Sequence, residues 1–349
     1  MGWTDGLRQQ GVPAALGAAL LFGAGAPLSK FLLHDVSPWM LAGLLYLGSG
    51  LGLTLYRFVN QLPSVRLPQN EISWLAGSIF AGGIAAPVLL MIGLTGLPAS
   101  SASLLLNAEG VFTALLAWFA FKENFDLRIA LGMVLIVAGA VVLNWSGEAR
   151  FGELWPTLAI LGACFAWGID NNLTRKISLT DATWIASVKG LVSSVVNLCL
   201  AFAMGAFMPS LPIIVGAMGV GFLAYGVSLA LFVVGLRHLG TARTGAYFSV
   251  GPFFGALLSL MMGEAVTLPL VVAGTLMALG TWLHLTERHE HEHSHSEMEH
   301  DHEHLHDAHH QHEHNLATPL ATKHQHLHYH QSMKHMHNHF PDSHHQHPH

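Results

Sequence analysis

The chain has 349 residues, 52% of them hydrophobic and only 10% charged, where a soluble globular domain carries roughly 25% charged residues. The formal charge of −6 comes largely from acids near the C-terminus and leaves no basic patch for nucleic acid. Cys164 and Cys199 are the only cysteines and both fall in apolar stretches, which argues against a disulfide framework or a cysteine-type zinc site.

Apolar runs of roughly 18–25 residues read as membrane helices. They are expected near 12–33, 38–58, 72–94, 97–120, 127–145, 154–175, 182–205, 211–235, 242–262 and 267–286, with breaks at "NQLPSVRLPQNE", "TGLPASS", "NWSGEARFGE" and "MGAFMPSLP". The start "MGWTDGLRQQ" shares one feature with a signal peptide, an Arg before an apolar run, but the first span is long and carries Lys30 near its end. With the N-terminus inside, the inner loops collect Arg8, Arg57, Arg66, Lys122, Arg128, Arg175, Lys176, Arg237, Arg243 and Arg288, and the outer loops only Lys30 and Arg150. The positive-inside rule therefore puts both termini in the cytoplasm.

The two halves of the chain repeat. "FGAGAPLSKF" (22–31) aligns with "WGIDNNLTRK" (167–176), and "EGVFTALLAWFAFKE" (109–123) lies over "VGPFFGALLSLMMGE" (250–264) without a gap, Glu123 over Glu264. Each half holds five spans, an odd number, so the second inserts upside down. Inverted repeats of this kind place a transport site near the midplane where the halves meet. On these motifs the chain resembles the drug/metabolite transporter superfamily, EamA type, over roughly 12–287. The resemblance implies an all-α integral membrane protein of ten helices in two inverted five-helix repeats (12–146 and 154–287), following a short cytoplasmic N-terminus (1–11). It implies a central cavity lined largely by spans 1, 3, 4, 6, 8 and 9, a place in the bacterial inner membrane, and export, or less often uptake, of a small solute. It names no substrate.

Several residues could carry transport. Glu109 lies near the middle of span 4, where a carboxylate costs about 3 kcal/mol on insertion scales; it should face a cavity or a partner. That suits proton coupling or a cationic substrate, and equally a buried structural acid. Ser103, Asn107 and Thr113 share its arc, as cavity lining or as helix–helix hydrogen bonds. Lys189 sits about two turns into span 7, with Ser193 and Asn197 on the same stripe, and Asp170 lies at similar depth in span 6. An Asp170–Lys189 pair across the hairpin reads either as structural, with the lysine snorkelling, or as a gate. Asn171 and Asn172 suit an inner vestibule or an early helix end. Tyr225 and Tyr247 are candidate lining. Pro27, Pro87 and Pro252 interrupt spans 1, 3 and 9 and free carbonyls for solute or water.

All but three of the 26 histidines (His34, His238 and His284) lie at or after His289. In "HEHEHSH" and "HDHEHLH" they alternate with acids. Neutral imidazole binds Zn, Ni, Co and Cu, so His289, His291, His293, His295, His300, His302, His304, His306, His309, His310, His312 and His314 are candidate ligands. The composition builds no core, and the tail (288–349) is expected to be disordered without metal, with several weak, exchangeable sites. Three functions follow: a secondary transporter of a small metabolite with a regulatory metal-binding tail, a transition-metal exporter whose tail captures the ion, or a membrane metal buffer or sensor. No phosphate loop or nucleophile–base motif supports an enzyme, and transport needs no cofactor.

Overall fold

A computed structural model describes residues 11–65, 67–121, 127–143, 151–285, 290–295, 298–304, 324–330 and 333–338. The helices and the tail fall into two separate compact units. In the helical unit, seven helices among the described residues are long and apolar enough to cross a membrane, and shorter apolar helices cover Ala130–Leu143 and Leu268–Leu283. The chain is a multi-pass membrane protein.

Helix α1 (Gly11–Leu32) runs unbroken through Pro27. Helix α2 (Pro38–Val59) starts at Ser37, whose hydroxyl accepts from the Met40 N–H at 3.4 Å, with Pro38 in the first turn. The next run joins α3 (Ile72–Ser78), a π-helical turn (Ile79–Ala85) and α4 (Ala86–Gly96). Pro87 explains the wide turn. It has no N–H, so the carbonyls four and five residues earlier, Gly83 and Gly82, lose their helical donor. Side chains from other helices replace it: Tyr46 Oη donates to Gly82 O at 2.7 Å, Trp167 Nε1 to the same oxygen at 3.1 Å, and Asn197 Nδ2 to Gly83 O at 2.9 Å.

Helices α5 (Ala99–Leu105) and α6 (Ala108–Phe121) split at Leu106–Asn107, inside a span expected to be continuous. They are followed by α7 (Leu127–Leu143), α8 (Phe151–Lys176) and α9 (Ala182–Ala203). Asp181 caps α9 through the Trp184 N–H at 2.8 Å and pairs with Arg57 at 2.5 Å. Burial alone would raise its carboxyl; the bonds from Thr183, the Trp184 amide and Arg57 outweigh that and hold it below the usual value.

Beyond α9 come α10 (Leu211–Gly221), a second π-helical turn (Phe222–Val227), α11 (Ser228–Phe248), α12 (Gly251–Met261) and α13 (Leu268–Leu285). The break expected between 235 and 242 is where the chain turns back: Leu211–Leu239 and Thr244–Met261 are separate spans, and the Phe232 and Phe248 rings meet at 4.8 Å between centroids, whereas a straight helix would hold them about 24 Å apart. A further interruption comes inside the next span at Ser249–Val250, just before Pro252 in the first turn of α12.

α2 packs along α9 and α7 along α13; α1 lies against α11 and α12, and α8 against α3–α4 and α6. The core is built where α2 meets α10 and α4. Small residues permit the α2–α10 crossing: a methyl group at Gly221 would fall 1.9 Å from Leu45 O, and one at Gly48 2.0 Å from Met218 O.

The tail unit carries strands where composition predicts none. Strand β1 (Glu290–His295) pairs antiparallel with β4 (Met333–Asn338), and β2 (Met298–His304) with β3 (His324–His330). The strict alternation of histidine with other residues has the period of a strand, and a ladder satisfies its backbone without needing an apolar core.

Gly221→Ala should lower stability by about 1–3 kcal/mol in a thermal melt in detergent. Gly219→Ala, where a methyl group meets nothing within 4 Å, should leave the melt unchanged. Equal melts for the two variants would contradict the close α2–α10 crossing.

Candidate functional site

The α8–α9 hairpin brings two opposite charges together inside the bundle. Lys189 Nζ donates to Asp170 Oδ1 at 2.5 Å, and the two side chains are 1% and 7% exposed. Thr174, one turn after Asp170, donates to the same oxygen at 2.8 Å and accepts from Lys189 at 3.2 Å. Asp170 is pressed against the π-helical turn of the α3–α4 run: a methyl group at Gly82 would fall 1.9 Å from Asp170 Oδ2. Only glycine leaves this carboxylate its place.

A second cluster sits beside the pair. Glu109 lies in the first turn of α6, just past the break at Leu106–Asn107. An acid there meets the unsatisfied N–H end of the helix, which favours negative charge. Asn171 Nδ2 donates to Glu109 Oε1 at 2.8 Å and to Thr113 Oγ1 at 3.1 Å. Asn172 Nδ2 donates to Thr113 O at 3.1 Å and Gly168 O at 2.9 Å. The adjacent asparagines are therefore anchors of α8 onto α6. The alternative of an early helix end does not hold, because α8 runs to Lys176.

Glu109, Asp170, Asn171, Lys189 and Tyr225 converge on one cavity. The other predicted lining residues lie elsewhere. Thr113 and Asn172 form the α6–α8 contact just described, and Asn197 bonds the π-helical turn. Asn107 Nδ2 donates to Leu104 O at 3.0 Å, closing the break in its own span. Ser103 faces Gly255 of α12, Tyr247 packs on Val12, Ala15 and Leu239, and Pro252 opens α12. Sequence reasoning missed Tyr46 and Trp167, which line the cavity and bond Gly82. Trp167 opens the repeated "WGIDNNLTRK" segment, a signal that was available. Of the candidate metal ligands, His291, His293 and His295 lie on β1 and His300, His302 and His304 on β2. His289, His306, His309, His310, His312 and His314 lie outside the described residues, as does Glu123.

A buried charge pair, a carboxylate at a helix break and a cavity beside them thus lie together inside a multi-pass helical bundle. Residues 9–145 match the EamA-like transporter family. The chain is 28% identical over 301 residues to an uncharacterized transporter of Methanothermobacter thermautotrophicus, covering 79% of this chain and 86% of that protein. It is 24% identical over 263 residues to the uncharacterized inner membrane transporter YedA of Escherichia coli, covering 70% and 83%. A protein of Escherichia coli described as a "Probable amino-acid metabolite efflux pump" is 28% identical over 172 residues, 49% of this chain and 54% of that protein. A solved crystal structure with 18% identity shares the fold at a TM-score of 0.65, over 80% of this chain and 99% of that one.

Lys189→Met alone strands a buried carboxylate and should cost about 3–5 kcal/mol in a thermal or denaturant melt. Combining it with Asp170→Asn should recover most of that loss. A single variant as stable as the parent would show that the pair does not hold the hairpin.

Proposed function

We propose that the protein exports a small metabolite by alternating access, with Glu109, Asp170 and Lys189 at its centre. One observation carries the reading: two charged clusters from different helices face one cavity beside a broken helix, where charge is costly unless it works. The cavity holds about 50 Å³, far below the roughly 300–1,000 Å³ of pockets that hold small molecules. A solute can enter only when the walls part, which is the movement alternating access supplies. The Asp170–Lys189 pair ties α8 to α9, so the two helices move together as the walls part.

Two inverted halves fit this movement. Spans 4 and 9 are interrupted at corresponding places, Leu106–Asn107 and Ser249–Val250. Spans 3 and 8 carry their π-helical turns at corresponding places, Ile79–Ala85 and Phe222–Val227. The packing partners also exchange: span 1 meets spans 8 and 9, and span 6 meets spans 3 and 4. These pairings support ten spans in two repeats, 12–146 and 154–287. The charge bias supports cytoplasmic termini, and the Escherichia coli relative's name supports an inner-membrane location. Export is supported by the efflux-pump relative.

The tail is proposed to bind transition-metal ions and to regulate the membrane unit. Its ladders set His291 opposite His337, His293 opposite His335, and His300, His302 and His304 opposite His328, His326 and His324. Opposite positions on a ladder are the closest cross-strand neighbours.

Cells expressing the full chain, Glu109→Gln or a chain ending at Arg288 test both parts. Mass spectrometry of the medium should find a metabolite raised by the full chain and the truncated one, and not by Glu109→Gln at equal membrane abundance. No change in any solute would refute export. Zn²⁺ retained equally by the purified full and truncated chains would refute the tail's role.

A further inference from the structure

We infer that the solute is an organic cation, an ammonium group on an apolar body, held by Glu109 against aromatic rings. The inference rests on the export reading and adds the class of substrate. It follows from which hydrogen-bonding groups in the cavity wall are already spent.

Donors come first. The wall offers Tyr46 Oη, Trp167 Nε1, the Asn171 amide, the Ser228 hydroxyl and the Lys189 ammonium. Tyr46 and Trp167 both donate to Gly82 O. Asn171 uses its amide on Glu109 and Thr113. Ser228 donates to Ala18 O at 2.8 Å. Lys189 is held by Asp170 and Thr174. The Tyr225 hydroxyl and one ammonium proton of Lys189 remain. A carboxylate or phosphate stripped of water needs several donors, and leaving it short costs several kcal/mol. The wall cannot supply them without breaking its own bonds.

Acceptors give the opposite result. Glu109 accepts one side-chain bond from Asn171, while an ionised carboxylate has about four lone-pair positions. Among the described residues of the wall Lys189 is the only cation, and Asp170 already faces it, so their net charge is that of Glu109. The rest of the wall is apolar and mostly aromatic: Phe22, Trp167, Tyr225, Phe232 and Phe248 line the space with Ala224 and Leu229, Phe22 lying 5.3 Å from Trp167 and 5.0 Å from Phe248 between ring centroids. Ring faces attract cations and repel anions, most strongly away from water. A carboxylate among aromatic rings, in a wall whose donors are committed elsewhere, selects for positive charge.

The probe is phenyltrimethylammonium, whose charge is independent of pH, with phenylacetate as the anion of similar size. Binding to the purified full chain in lipid nanodiscs is measured by titration calorimetry. The cation should bind saturably and phenylacetate should not. Glu109→Gln, nearly the same shape, should weaken cation binding at least about tenfold with an unchanged melting temperature. Phe248→Leu should weaken it about 2–30-fold, a second check independent of the carboxylate. Cation binding that is absent, equal in Glu109→Gln, or matched by phenylacetate overturns the inference. In each of those cases export stands or falls separately on the metabolites found in the medium.

Discussion

Taking an ammonium group and a carboxylate out of water costs several kcal/mol for each ion even after the protein relaxes. The Asp170–Lys189 contact is where this chain meets that cost, and much of the surrounding structure can be traced from it. The two residues must face each other across the α8–α9 hairpin, which fixes the rotation of both helices. Thr174 must stand one turn away to bond both partners. Gly82 must lack a side chain, or the carboxylate would have no room. With Asp170 turned to the lysine, its neighbours Asn171 and Asn172 reach α6, where Asn171 bonds Glu109 and leaves that acid in the cavity wall.

A second constraint comes from the backbone. In hydrocarbon every carbonyl needs a partner, and Pro87 takes the helical donor from two of them. The replacements come from three other helices: Tyr46 from α2, Trp167 from α8 and Asn197 from α9. One proline thus ties the α3–α4 run to the elements that carry the charged pair. The same bonds consume the donors of two cavity residues, so the stability of the bundle and the selectivity of its cavity have a common cause.

Much of this was legible in the sequence. Long apolar runs gave the helices, and the Asp170–Lys189 pair followed from equal depth in adjoining antiparallel spans. The exceptional cost of charge in an apolar run singled out Glu109. Other features were not legible because they depend on which helix lies across from which. Asn197 reads as cavity lining on a polar stripe, yet it serves a carbonyl freed by a proline more than a hundred residues away. Tyr247 and Phe248 are neighbours, and only the packing of α11 decides that Phe248 faces the cavity. In the tail, composition argued for disorder, while the alternation itself carried the period of a strand.

The central claim is that the cavity beside Glu109 is the path of the solute, open to one side of the membrane at a time. Ala224 lines that cavity and is 3% exposed. The most direct test replaces Cys164 and Cys199 by Ala, introduces Ala224→Cys, and labels right-side-out and inside-out vesicles with a membrane-impermeant maleimide. Labelling should occur from both sides, and a condition that raises it on one side should lower it on the other. A cysteine that reacts from neither side, or from both in fixed proportion under every condition, would contradict alternating access through this cavity.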